Sequence, residues 1–182
     1  MSTDTPTREM WRLRIEDMKR HLSDLQHNSY DEAKDRSDRD AVFVKAFELL
    51  TPLAVQVLED MNDWLVNGMG TVTVNEPVSD GDGGINGSWT LTWPKLDAGT
   101  NVHNGKPLEP VTIDAVYPGH WTHGHIARLH EGLPAEVTAW PMQVLTEEDA
   151  ARQEPILRAI AEAELHERLY QADGDWQMVM PG

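Results

Sequence analysis

The stretch WLVNGMGTVTV, residues 64–74, is where the chain changes period. Before it, apolar residues recur at helical spacing. After Gly70 come short β-branched and aromatic runs: TVTV, SWTLTW, VTIDAVY and EVTAW, separated by Gly, Pro, Asn and Asp clusters. Asn67-Gly68 and Gly70 are residues that end a helix, because they enter the left-handed region at little cost. The junction therefore separates a helical N-terminal part from a set of short antiparallel strands, and the fold class expected is α+β.

Upstream of the junction lie two helical patterns. Trp11, Ile15, Met18, Leu22 and Leu25 repeat at spacings of 4, 3, 4 and 3, an amphipathic helix with a narrow seam. Phe43, Phe47, Leu50, Ala54, Val57, Met61 and Trp64 keep the same alternation, and Val42, Ala46, Leu49, Leu53 and Leu58 widen that stripe. Pro52 is expected to kink this second helix near Glu48. The polar segment from Ser29 to Asp40 reads as the connection, so the two helices are expected to form a hairpin.

Downstream, three strand-like runs close on an aromatic residue and a proline, at Trp93-Pro94, Tyr117-Pro118 and Trp140-Pro141. Thr146 and Asp149 approximate a capping box that opens a last helix, and Pro155 either kinks that helix or begins another. Three regions follow: a helical hairpin and oligomerisation region over 1–69, a small antiparallel β-domain over 70–145, and a C-terminal helix and tail over 146–182.

Composition narrows the function. The formal net charge of -16, from 31 acidic and 15 basic residues, sets the chain against phosphate backbones, so no nucleic-acid partner is expected. The absence of cysteine removes disulfides, thiol catalysis and thiolate metal sites. No leader or long apolar run is apparent, which points to a cytoplasmic protein without membrane insertion.

Two readings of function remain. The first is a non-catalytic accessory or structural subunit of a homo- or hetero-oligomeric assembly, partnered by itself or by another protein. Its interface would use Trp11, Ile15, Met18, Leu22, Phe43, Phe47, Leu50, Val57, Met61 and Trp64. Both stripes are core-like, and no phosphate loop, nucleophile elbow or dinucleotide fingerprint occurs.

The second reading rests on YPGHWTHGHIARLHE, residues 117–131, which holds four of the eight histidines. If Trp121 to Leu129 is a strand, His123 and His125 share one face and could give two imidazoles to one divalent transition metal. His103, Asp114, Glu131 and Glu136 are candidates for the remaining ligands. The alternative function is thus a small His-ligated metal enzyme or metal-binding protein.

Gly119, His123, His125 and Glu131 resemble a loosened first cupin motif over about a dozen residues. The glycine is too near the first histidine, the gap to Glu131 is too long, and no downstream strand supplies a further histidine. No cupin function is carried over. Asp80-Gly-Asp-Gly-Gly84 begins like a calcium loop but lacks its later ligands, which leaves an acidic turn between strands.

Overall fold

The computed structural model describes residues 5–99, 105–128 and 139–172, the side chains of 5–10 and 171 excepted. Helices α1 (Thr5–His27) and α2 (Arg36–Val66) precede strands β1 (Thr71–Ser79) and β2 (Ile85–Thr92). A short helix α3 (Pro94–Ala98) leads to β3 (Val111–Tyr117), β4 (His125–Ala127) and β5 (Ala139–Pro141), and α4 (Glu147–Ala151) and α5 (Glu154–Gln171) follow. The five strands form one antiparallel sheet in the order β1-β2-β3-β4-β5. The fold is α+β, with helices at the N-terminus, the sheet in the middle and helix at the C-terminus.

The junction at residues 64–74 behaves as its residues dictate. Asn67 ends α2 in the left-handed region at φ 54°, Gly68 follows at φ 72°, and the Asn62 side chain accepts from Gly70 N at 2.8 Å. A methyl group on Gly70 would approach Asn62 Oδ1 and Leu91 Cδ1 to 2.6 and 2.7 Å, so the tight entry into β1 excludes a side chain there. At the other end of α2, Asp35 caps the helix by accepting from Asp38 N at 2.9 Å. The helix therefore starts earlier than its apolar stripe.

Strand alternation sorts the sheet into two faces. Trp89 and Leu91 on β2 pair with Ile113 and Val111 on β3, all fully buried. Their neighbours Ser88 and Thr90 pair with Asp114 and Thr112, which gives a polar opposite face. Beneath the apolar face runs α2, where Phe43, Ala46, Phe47, Leu50, Ala54, Val57 and Leu58 are buried. Phe47 stacks on Trp89 with ring centroids 4.4 Å apart and planes 10° from parallel. Leu157, Ile160 and Ala161 of α5 complete a core that includes residues of all three regions distinguished in the sequence.

Helix α2 is long and apolar enough to cross a membrane by length and composition, but Phe43, Phe47, Leu50 and Leu58 are fully buried beneath the sheet. It also runs through Pro52 without interruption of its assigned span. Pro52 supplies no N–H to the Glu48 carbonyl, and in the turn before it the Thr51 hydroxyl donates to the Phe47 carbonyl at 2.9 Å.

At the C-terminal end the capping box is present, with Thr146 Oγ1 accepting from Asp149 N at 3.1 Å and Asp149 Oδ2 accepting from Thr146 N at 3.1 Å. Helix α4 is a single short element, and Pro155 lies in the first turn of a separate helix, α5. The Asp80 turn joins β1 to β2, its carboxylate accepting from Asp82 N and Gly84 N.

The expected hairpin does not form through its apolar stripes. Phe43, Phe47, Leu50 and Val57, expected at an interface, are buried in the chain's own core by the sheet and α5. Met61 is only partly buried and Trp64 is 91% exposed, at the far end of α2 on a surface shared with Leu165 and Arg158 of α5. The other half of the expected interface, on α1, lies fully outside that core.

Candidate functional site

Helix α1 is attached to the body through its polar face. Asp17 accepts from Gln153 Nε2 at 3.1 Å, and Arg20 donates to Asp17 Oδ1 at 2.7 Å, to the Gln143 carbonyl at 2.9 Å and to Asp149 Oδ1 at 3.3 Å. Asp24 accepts from Ser29 Oγ at 2.9 Å and from Gln143 Nε2 at 3.2 Å. Both Asp17 and Asp24 are buried. This is a docking surface of carboxylates and their donors, and each buried acceptor has its partner as burial requires.

The opposite face of α1 is the seam. Trp11, Ile15, Met18, Leu22 and Leu25 are all exposed, from 39% to 64%. An ordinary surface helix turns such a stripe inward. Here the polar face has the better-matched partners on the body, and the stripe is left to solvent.

Asp24 also reaches the histidine segment. His123, 1% exposed, approaches Asp24 Oδ2 with its Nε2 at 3.1 Å. Burial works against the Asp24 charge, but hydrogen bonds from His123, Ser29 and Gln143 outweigh it and hold the carboxyl below its ordinary range. Burial likewise pushes the His123 imidazole down, with Asp24 opposing. An ionised carboxylate beside a neutral imidazole fixes the tautomer: Nε2–H donates to Asp24, and Nδ1 accepts from the Thr122 hydroxyl at 3.0 Å.

Two further imidazoles surround this pair. His21 of α1 lies edge-on to His123 and His125, with ring centroids 4.5 and 5.7 Å away. Burial, reinforced by His123, pushes His21 down to about 4, and burial together with His21 does the same to His125. The Nδ1 of His21 is buried without a hydrogen-bond partner. Trp121 stands edge-on to His125 at 4.5 Å. The rings sit along a cavity of about 520 Å³ whose other walls include Met18 and Leu25 of α1 and Ala139 and Pro141 of β5.

The hydroxyl–imidazole–carboxylate order of Thr122, His123 and Asp24 is that of an activated nucleophile. Its ends, however, are a threonine next to the histidine in sequence and a carboxylate that also holds Ser29 and Gln143. What this chain of bonds achieves here is to tie α1 to the segment before β4.

The expected ligand pair is therefore brought to one place, but differently from the sequence reading. The strand is only His125–Ala127, so His123 precedes it in a bend instead of sharing its pleat. Register places His125 opposite Val116 and Asp114 opposite Ala127, on the same face one pair apart. His103, Glu131 and Glu136 lie outside the described residues. Among the described residues, no group of three or more His, Asp or Glu side chains is placed to hold a metal ion. The sequence alone does not single out His21 and Asp24; the available signal is that both fall beside the α1 seam, on the side that carries Asp17 and Arg20.

The chain matches no protein-family model, no curated protein and no solved structure.

Proposed function

We propose that this chain is a non-catalytic accessory or structural subunit that joins a larger assembly through the apolar seam of α1. The observation that carries the reading is the orientation of that helix: a buried polar face and an exposed stripe of Trp11, Ile15, Met18, Leu22 and Leu25. Contiguous exposed apolar side chains of this kind mark interaction surfaces. Covering each one stabilises an assembly by roughly 1.5–3 kcal/mol before association costs. The interface thus differs from the ten residues expected: Phe43, Phe47, Leu50 and Val57 serve the core, Met61 and Trp64 lie apart at the end of α2, and Leu25 joins the α1 seam.

The test is solution mass and partner co-purification for the wild type and for Ile15→Glu/Leu22→Glu. The wild type should self-associate or carry a co-purifying partner, and the double variant should be a folded monomer without one. A wild type that is monomeric at micromolar concentration and purifies without a partner overturns the reading.

A second reading, a His-ligated metal protein, draws on one observation: α1 adds His21 beside His123 and His125. Stoichiometric metal in protein purified without chelator, lost in His21→Ala/His125→Ala with helical content retained, would favour it over the first.

A further inference from the structure

The seam of α1 is one side of a trough. Met18 and Leu25 form a wall of the cavity whose far wall is Trp121, His125, Ala139 and Pro141. Met18 also borders a second depression with Trp140 and Pro141. From Trp11 to Leu25 the seam is about 21 Å long at the α-helical rise, close to four turns. The walled part of the seam runs from Met18 to Leu25, about 10 Å or two turns, and Trp11, Ile15 and Leu22 extend it as an exposed apolar stripe; a stripe walled along part of its length is a seat for an amphipathic helix.

The charges beside the trough select the helix. In the 4, 3 pattern, Arg12 and Lys19 follow the seam residues Trp11 and Met18, and Arg14 precedes Ile15; these are the flanking positions that set partner choice in paired helices. Arg12 and Lys19 are exposed, and Arg12 reaches Glu16 only at 3.5 Å between side chains that are 69% and 49% accessible. Arg12, Arg14 and Lys19 are therefore the cations beside the seam, Arg20 being held on the docked face by Asp17 and Asp149, in a chain whose net charge is -16. Cations border the only described helix whose whole apolar stripe is exposed, while the rest of the chain is acidic.

We propose that this trough receives an amphipathic helix of another protein whose apolar stripe is bordered by carboxylates. The inference rests on the association reading and names its partner. A second copy of this chain fits less well, since pairing two seams sets cations against cations and brings two strongly acidic bodies together. An anionic bilayer would accept the cations, but a flat surface leaves the trough unfilled and meets the acidic body within a Debye length of about 8 Å.

The experiment uses the full chain and two synthetic helical peptides of about four turns. Both carry Leu and Ile at 4, 3 spacing; one has Glu at the flanking positions and the other Lys. Fluorescence anisotropy should show the Glu peptide binding at least about tenfold more tightly than the Lys peptide, with the gap shrinking at about 0.3 M salt. Arg12→Glu/Lys19→Glu should reverse the order. Met18→Glu/Leu22→Glu, folded by circular dichroism, should lose both peptides.

Equal binding of the two peptides, or an unreversed order in the charge variant, overturns the acidic partner while leaving the docking surface standing. Binding that survives Met18→Glu/Leu22→Glu overturns the surface itself and with it the association reading. Dimerisation without peptide that is abolished by the same variant assigns the trough to a second copy and overturns the proposal. Seam-dependent binding to phosphatidylserine vesicles, with no preference for the Glu peptide, overturns it in favour of lipid.

Discussion

His123 donates from Nε2 to Asp24 Oδ2 at 3.1 Å, joining a bend before β4 to the last quarter of α1 across 99 positions of sequence. The bond is buried, and the same carboxylate accepts from Ser29 and Gln143. Asp24→Ala leaves three buried donors without an acceptor. At roughly 1–3 kcal/mol for a buried group left unpaired, with partial relaxation, the expected loss is about 2–4 kcal/mol in urea unfolding. Loss below about 0.5 kcal/mol would show that α1 is not held at this point.

The histidines make stability depend on pH with a definite sign. His21 and His125 titrate near 6.5 when unfolded and near 4 in the fold, because burial disfavours their cations. Between those values the unfolded chain binds more protons, so stability is full above about 6.5 and falls as pH drops toward 4. Asp24, held below its ordinary range, adds a further loss below about 3.8. Urea midpoints measured from pH 7.5 to 4.5 should decline, and His21→Gln/His125→Gln should flatten that slope. An unchanged slope in the variant would place the proton uptake elsewhere.

Helix α2 offers a contrast between two aromatic residues of one stripe. Phe47→Ala empties a fully buried site stacked on Trp89 and should cost about 3–5 kcal/mol. Trp64→Ala, at a side chain 91% exposed, should stay within about 0.5 kcal/mol. Denaturant unfolding of both variants checks the assignment of Phe47 to the core.

Gly87 faces the same ring. A methyl group there would lie 2.7 Å from Phe47 Cε2 and 3.1 Å from the Asn75 carbonyl, so Gly87→Ala should destabilise by about 1–3 kcal/mol through overpacking. Pairing it with Phe47→Leu should recover part of the loss, and a double-mutant cycle measures the coupling.

Thr146→Ala removes the hydroxyl half of the capping box and should cost about 1 kcal/mol. Asp149 also binds Arg20 of α1, so Asp149→Ala should cost more than Thr146→Ala and should raise protease sensitivity at α1 as well. Equal effects of the two substitutions would mean that the Arg20 contact contributes nothing.

The sequence by itself determined the elements. Period 3.6 before residue 67, period 2 after Gly70, Asn67 and Gly68 as the helix stop and Thr146 with Asp149 as a start are local properties, written within a few residues of where they act. The closeness of His123 and His125 in sequence was plain, but the strand pleat expected to align them was not, since β4 begins only at His125. What only the tertiary structure decided was which stripe became core. Two amphipathic helices with the same 4, 3 spacing have the same local claim to burial, and the sheet has one face to cover. The broader stripe of α2 covers it, since Phe43, Phe47, Leu50 and Val57 present more apolar area to the sheet than the narrow seam of α1. Helix α1 was then placed by partners 99 to 136 positions away: His123 and Gln143 for Asp24, Asp149 for Arg20 and Gln153 for Asp17. Those matches depend on distances between remote segments, which no local period encodes, and they are what turned His21 toward the other imidazoles and the seam toward solvent.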